Sequence, residues 1–138
     1  MNLIERLKQS QFLRFSAVGA GGFVVDESVL ALMNKAIGLD PFSARFISIF
    51  AGMTFTWWGN RNLTFQASRA LGVRATFLEW IRFVFANSLG AVANYTSYAL
   101  LLRLAPAPLN NVFLATAIGV GVGLVFNFTL SKRFVFRA

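Results

Sequence analysis

The sequence predicts an all-α integral membrane protein with four transmembrane helices, arranged as two helical hairpins. The chain has 138 residues, of which 57% are hydrophobic and 16 are Phe. One domain of this size cannot bury so much apolar surface. Only 13% of the residues are charged, yet the net charge is +8, as in a membrane protein with cationic edges. Four stretches are also long and apolar enough to span a bilayer, which takes roughly 20 residues.

The four predicted spans follow one another along the chain. They cover about 12–34, 42–58 (after Pro41), 80–104, and 111–130 (after the turn at Pro106 and Pro108). We expect one transmembrane domain over residues 1–138, with repeat one at about 12–65 and repeat two at about 80–136. We expect no signal peptide, because the first apolar run is too long for one and continues through Asp26. Segment 67–80 is predicted to be a connector or an interfacial segment.

The uneven distribution of basic residues predicts the orientation. The larger set lies before span one, between spans two and three, or after span four: Arg6, Lys8, Arg14, Arg61, Arg69, Arg74, Arg82, Lys132, Arg133 and Arg137. Connections on the cytoplasmic side carry the excess of Lys and Arg. Both termini are therefore predicted to be cytoplasmic, in a multi-pass protein of the cell inner (cytoplasmic) membrane. Lys35, Arg45 and Arg103 fall on the far side, where we expect Arg45 and Arg103 to snorkel toward the membrane surface, with receipt of the phosphate there as the alternative.

The two halves of the chain resemble each other. LRFSAVGAGGFVVD (13–26) aligns with IRFVFANSLGAVAN (81–94) at an offset of 68. WWGNRNLTF (57–65) aligns with FTLSKRFVF (128–136) at an offset of 71. Since a two-span hairpin returns to its starting side, the repeats are predicted to be parallel and related by an axis along the membrane normal.

Asp26 and Glu27 lie inside the first predicted span, where a central charge costs roughly 2.5–3.5 kcal/mol. Gly19, Gly22 and Asp26 share one helical face, whose small residues favour close helix packing. The second repeat has Asn94 at the position of Asp26, so the two side chains are expected to face each other and hydrogen-bond. Glu27 must point to another helix, a partner subunit or a cleft. Asp26 is interpreted as a substrate or proton site, with a structural hydrogen-bonding role as the alternative.

The remaining candidate residues are Asn and basic side chains within or at the ends of the spans. They are Arg14, Asn60, Arg61, Arg82, Asn127, Lys132 and Arg133. One interpretation is anchoring of the helices at the cytoplasmic surface. The other is recognition of an anionic lipid headgroup, because a cation pair with Asn donors can chelate a phosphate. The GVGVG run at 119–123 is interpreted as a helix-packing GxxxG motif.

The motifs FLRFSAVGAGGFVVD, FTWWGNRNLTF and FNFTLSKRFVF together resemble the GtrA-like family of small four-helix membrane proteins. The resemblance covers about 12–136. It implies translocation of a polyprenyl-phosphate-linked sugar, such as undecaprenyl-phosphate-glucose, from the cytoplasmic to the outer leaflet. The sugar then serves cell-surface polysaccharide glycosylation, alongside a membrane glycosyltransferase. The residues that match the family pattern are Asp26, Asn60, Arg61, Phe65, Lys132, Arg133 and Phe136, whereas Glu27 has no match.

We therefore expect a lipid-linked sugar flippase. In this hypothesis Asp26, Asn94 and Asn127 bind sugar hydroxyls, while basic span ends hold the phosphate: Arg61, Lys132 and Arg133, with Arg14 or Arg82. A homodimer packed through a Gly-rich face is expected, because four helices are few to enclose such a path.

Two other functions fit parts of the pattern. A non-catalytic membrane subunit that recruits or stabilises a glycosyltransferase needs no intramembrane carboxylate. A proton-coupled small multidrug exporter has a carboxylate in its first span, but basic span ends would repel cationic drugs. With no Cys and no His, the chain lacks the usual groups for nucleophilic catalysis and metal binding. We expect no enzyme activity, no cofactor and no nucleic-acid partner.

Overall fold

The computed structural model describes residues 1–137, except for the side chains of Leu7, Lys8 and Phe113, and contains five α-helices over that range. They are α1 Leu3–Gln9, α2 Gln11–Ala31, α3 Pro41–Gly59, α4 Val73–Leu104 and α5 Val112–Leu130. Wider π-helical turns extend α2, α3 and α5 over Leu32–Ala36, Asn60–Thr64 and Ser131–Val135, respectively. The four long helices coincide with the four predicted spans, apart from one boundary.

That boundary is the start of α4. The helix begins at Val73, seven residues before the predicted start of span three, so a plain connector is wrong for the second half of 67–80. The connection ends at Gly72, whose φ of 88° suits a residue without a Cβ.

Polar side chains fix two other helix starts. Asn2 and Glu5 form a reciprocal capping box on α1. Asp40 caps α3 by accepting hydrogen bonds from the amides of Phe42 and Ser43 at 3.1 and 3.0 Å. A hydrogen bond from the Ser43 side chain, reinforced by these amides, lowers the pKa of Asp40 below its ordinary value.

The chain divides into two compact units, Met1–Trp80 (unit 1) and Ile81–Arg137 (unit 2). Unit 1 holds the α2–α3 hairpin, and unit 2 holds α5 with the part of α4 that precedes it. The two predicted repeats therefore lie essentially one in each unit, and the organisation into a single domain stays a prediction.

In unit 1, small residues let α2 and α3 approach closely. Gly22 faces Thr56 on α3, and a Cβ added at Gly52 would lie 2.9 Å from the Cβ of Asp26 and 3.0 Å from the carbonyl oxygen of Gly22. Backbone contacts this short are possible only without a side chain. The predicted packing face thus uses Gly22 and Asp26, while Gly19 has open space around its Cβ position.

Unit 2 repeats this contact with the same geometry. A Cβ added at Gly123 would lie 2.9 Å from the Cβ of Asn94 and 3.0 Å from the carbonyl oxygen of Gly90. Gly90 faces Asn127, as Gly22 faces Thr56, and Gly119 also packs against Asn94. The offsets of 68 and 71 therefore connect positions with matching contacts, and Gly119 and Gly123 act in helix packing as predicted.

A second matched contact closes one end of each unit. The π-helical turn at the end of α3 places Phe65 edge-on against Phe15, with ring centroids 6.3 Å apart. The turn after α5 places Phe136 edge-on against Phe83 at 6.4 Å. All four rings are buried. The basic turn followed by Phe in each repeat is thus the place where the chain turns back onto its own hairpin.

The outer faces of the helices are strongly apolar. Phe23, Phe46, Phe85 and Phe126 are all exposed, which is unusual for a protein surrounded by water. Gln11–Ala36 and Leu114–Val135 are long and apolar enough to cross a membrane. For α3 and α4, crossing of the bilayer stays a prediction.

The packing of unit 2 predicts opposite tolerance at two glycines on α5. Gly123→Leu should lower stability by about 1–3 kcal/mol, because the new side chain collides with Asn94 and with backbone. Gly121→Leu should leave stability nearly unchanged, since nothing lies within 4 Å of its Cβ position. The check is the apparent melting temperature of each variant in a mild detergent. Equal melting temperatures for the two variants would contradict the close α4–α5 contact.

Candidate functional site

The two intramembrane carboxylates share one cation. Arg45, near the start of α3, donates from Nη1 to Oδ1 of Asp26 at 2.9 Å, and the same nitrogen lies 3.5 Å from Oε1 of Glu27. The side chain of Asp26 is 17% exposed, whereas those of Arg45 and Glu27 are 45% and 49% exposed. The Asp26–Glu27–Arg45 cluster therefore has a half-buried inner carboxylate and an open outer side.

The structure adds a partner for Arg45 that the sequence analysis did not expect, while its snorkelling stays a prediction. Arg45 lies two helical turns before Gly52, which packs on Asp26, so only a long side chain brings its charged group to the carboxylate. The predicted facing of Asp26 and Asn94 stays a prediction.

A cavity of about 470 Å³ opens beside this cluster. Its lining includes Glu27 and Arg45, with Asn34 and Lys35 at the end of α2 and Phe42 at the start of α3. Asp26 is thus not sealed in a dry contact, because both of its charged neighbours border open space. The cavity offers one carboxylate, one amide and two cations to a polar molecule.

The equivalent site in unit 2 has the same layout without charge. At offsets of 68 and 71, the positions of Asp26, Glu27 and Arg45 are occupied by Asn94, Tyr95 and Thr116, respectively. These three side chains line a cavity of about 290 Å³. The sequence analysis paired only Asp26 with Asn94, and the structure shows that the side chains at all three equivalent positions border one cavity.

A second ion pair, which the sequence analysis missed, is buried at the other end of unit 1. Glu79 is 2% exposed and accepts from Nη1 of Arg61 at 2.7 Å and from Nε1 of Trp57 at 3.1 Å. Its other oxygen accepts from the amide of Ala70 at 2.6 Å, and Arg61 donates to the carbonyl of Ala70. This Glu79 cluster ties the connection and the first turns of α4 to the end of α3.

The predicted phosphate ligands fall into two groups. Arg61 is already neutralised by Glu79 and lies over the Trp57 ring, with its Cζ 5.9 Å from the centroid. Lys132, at the equivalent position of unit 2, lies over the Phe128 ring at 5.8 Å. Arg82 and Arg133 are exposed, and Arg14 is half-buried. The geometry thus places Arg82 and Arg133 on accessible surface, whereas Arg61 is ion-paired and Lys132 contacts an aromatic ring.

The amides of Asn60 and Asn127 lie in the interior rather than at the surface. Asn60 is fully buried and accepts from the hydroxyl of Thr64, but its Nδ2 has no acceptor among the described residues. In the described part of unit 2, Oδ1 of Asn127, Nδ2 of Asn87 and Oγ of Ser131 are likewise buried without partners. Buried polar atoms normally have a partner, so these atoms can hydrogen-bond a polar guest or water.

The match with known proteins covers most of the chain. The model of the GtrA/DPMS transmembrane domain matches residues 14–137. The chain belongs to this family. No curated protein matches the chain at a significant level.

Family membership and the apolar helices together make this a membrane protein of the polyprenyl-phosphate sugar family. The match begins at Arg14 and ends at Arg137, so it includes both units and both polar sites. The resemblance inferred from the span-end motifs is confirmed.

The Glu79 cluster predicts a strong dependence of stability on one carboxylate. Glu79→Ala should destabilise the protein by about 3 kcal/mol or more, because it leaves the 13%-exposed Arg61 without its buried partner. Release of the connection should also speed trypsin cleavage at Arg69. Glu5→Ala, a change of the same kind in exposed α1, is the control; it removes one hydrogen bond of a terminal cap and should cost at most about 1 kcal/mol. Unchanged melting temperature and cleavage rate in Glu79→Ala would show that the cluster does not hold α4.

Proposed function

We propose that the protein is a transporter, not an enzyme, that moves a polyprenyl-phosphate-linked sugar such as undecaprenyl-phosphate-glucose across the cytoplasmic membrane. The sugar would serve cell-surface polysaccharide glycosylation with a membrane glycosyltransferase as partner. The observation that supports this most is the Asp26–Glu27–Arg45 cluster, in which intramembrane charges border an open cavity. Ionisable groups inside a span mark substrate or ion paths more often than structural contacts.

The physical task explains why such a cluster is useful. The polyprenyl tail can stay in lipid, while the sugar must cross hydrocarbon with its hydroxyl groups hydrogen-bonded. Asp26 and Glu27 offer acceptors and Arg45 offers donors, so a hydroxyl can take the place of either partner in the ion pair. The amides of Asn94 and Asn127 offer both donors and acceptors in unit 2.

The half-exposed state of Arg45 supports exchange of partners. Its guanidinium is within reach of two carboxylates at 2.9 and 3.5 Å. When a sugar hydroxyl donates to Asp26, Arg45 retains Glu27, and no charge is left without a partner. A single buried ion pair would lack this second position.

The arrangement in the membrane is part of the proposal. Four spans with cytoplasmic termini place the Glu79 cluster near the cytoplasmic surface and the Asp26–Glu27–Arg45 cluster deeper in the bilayer. A homodimer is proposed as well. Gly22, Gly52, Gly90 and Gly123 are used within the units, so they are not available for a Gly-rich dimer interface.

A non-catalytic subunit of a glycosyltransferase is the second candidate. It is favoured by an apolar groove of about 720 Å³ next to the Glu79 cluster, lined by Trp57, Val73, Phe77 and Trp80 among others. Val73 is 91% exposed, and an aromatic groove with such a rim suits a partner helix.

The transport proposal predicts that Asp26→Asn abolishes flipping without unfolding. In proteoliposomes with a fluorescent polyprenyl-phosphate-linked sugar, the initial rate should fall at least about tenfold, which corresponds to 1.4 kcal/mol. The reason is that Asn carries no negative charge, so Arg45 keeps Glu27 as its charged partner and position 26 offers the sugar a weaker acceptor.

Asp40→Asn is the matched control, because it makes the same chemical change at an exposed cap that Asn also satisfies. The control should transport like the unmodified chain. If Asp26→Asn transports normally while substitutions in the 720 Å³ groove release a glycosyltransferase, the subunit function replaces the transporter.

A further inference from the structure

We infer that unit 2 holds the phosphate end of an isoprenyl phosphate lipid in the groove between α4 and α5, with Arg82 and Arg137 as its ligands. This inference rests on the proposed function, because it locates the charged part of that function's substrate. Of the predicted phosphate ligands it keeps Arg82, and it adds Arg137, a residue not among them.

The distribution of acidic residues is the first argument. All five carboxylate side chains of the sequence, Glu5, Asp26, Glu27, Asp40 and Glu79, lie in the first 80 residues. Unit 2 has no acidic side chain, although it carries Arg82, Arg103, Lys132, Arg133 and Arg137. Its cations therefore have no carboxylate side chain within their own unit, and an external anion gains their full attraction.

The equivalent cations of the two units show the contrast directly. Arg61 lies over Trp57 and Lys132 lies over Phe128, at matched positions of the repeat. In unit 1 this cation is neutralised by Glu79 at 2.7 Å. In unit 2 the same cation–aromatic pair has no acidic neighbour in sequence or structure over residues 81–137. The positive end of unit 2 thus remains available.

The groove has the polarity of a lipid with a charged head. It encloses about 600 Å³ and is lined by Ile81, Arg82, Phe85, Ala86, Leu89, Leu130, Phe134 and Arg137. The contact between Phe83 and Phe136 shows that Arg82 and Arg137 lie at the same end of the unit. Two guanidiniums therefore stand at one end, and apolar walls continue from them along the hairpin.

Both guanidiniums are exposed, and neither forms an ion pair or hydrogen bond with the described part of the chain, residues 1–137. Arginine binds phosphate through two parallel N–H donors. Free inorganic phosphate would leave the apolar walls without a partner. An isoprenyl phosphate fits both parts of the groove, because its hydrocarbon chain covers Phe85, Leu89 and Phe134 while its phosphate contacts the two arginines.

The test measures binding of radiolabelled farnesyl phosphate to the full-length protein in mild detergent. Arg82→Gln and Arg137→Gln should each weaken binding about tenfold, and the double variant about 100-fold. Farnesol, which lacks the phosphate, should bind weakly and equally to all four proteins. Phe134→Ser, at a 62% exposed groove position, should weaken both ligands because it removes apolar wall.

Matched variants separate this site from general effects. Arg74→Gln removes an exposed arginine from the same helix but outside the groove, so it should bind like the unmodified chain. Phe126→Ser removes an exposed Phe of unit 2 outside the groove and should also have no effect. An equal loss in Arg74→Gln would overturn the site, because it would show nonspecific attraction to net charge.

Competition identifies the occupant. Excess unlabelled farnesyl phosphate should displace the probe, while inorganic phosphate and phosphatidylglycerol at the same concentration should not. Displacement by inorganic phosphate, or equal displacement by phosphatidylglycerol, would overturn the assignment to an isoprenyl phosphate.

Measurements of binding and of transport distinguish failure of this phosphate site from failure of the proposed transporter function. Arginine-dependent binding by a protein that does not flip its lipid would support this site and reject the transporter function. Normal flipping by an Arg82→Gln/Arg137→Gln variant that binds like the unmodified chain would reject this site and leave the transporter function standing.

Discussion

Gly52 packs against the Cβ of Asp26 in unit 1, and Gly123 packs against the Cβ of Asn94 in unit 2. This close contact determines where along each hairpin the surrounding polar groups lie. Because Gly52 and Gly123 have no side chain, neighbouring helices approach until backbone and Cβ atoms touch. The approach fixes the register of each hairpin. Arg45 lies two helical turns from Gly52. From that position a long side chain reaches Asp26, whereas a short side chain would not. Thr116, at the same position of unit 2, borders the cavity beside Asn94 instead.

The two units share packing but differ in charge. The glycine contacts and the buried Phe pairs occur at matched positions with nearly the same distances. The charge at the polar positions differs, since unit 1 has two ion-paired clusters and unit 2 has amides, hydroxyls and cations without acidic side chains. Packing constrains side-chain size where two helices touch, because a single added carbon atom collides there. It leaves charge free to differ wherever a side chain borders a cavity.

Hydrophobic patterning predicted the helices well and the ion pairs poorly. The span bounds, the repeat and the packing role of Gly22 and Gly123 follow from run length and spacing, which report burial directly. The start of α4 was placed too late, because Arg74 and Glu79 lower the hydropathy of a segment that is helical. Glu79 was overlooked as part of a connector, and Arg45 was assigned to the surface. A pattern along one helix does not reveal which residue on the next helix neutralises a charge.

The energetics of a charge in hydrocarbon explain why unit 1 uses three groups rather than one. A lone carboxylate near the middle of a span costs roughly 2.5–3.5 kcal/mol on insertion scales. Pairing with Arg45 reduces this cost, but a sealed pair would have to be broken before a substrate could bind, leaving one charge exposed to a low dielectric. Glu27, 3.5 Å from the same nitrogen, provides the guanidinium with a second partner. Under the proposed function, hydrogen bonds to Asp26 are exchanged rather than lost, and the barrier to sugar entry is lower than that of breaking an isolated buried ion pair.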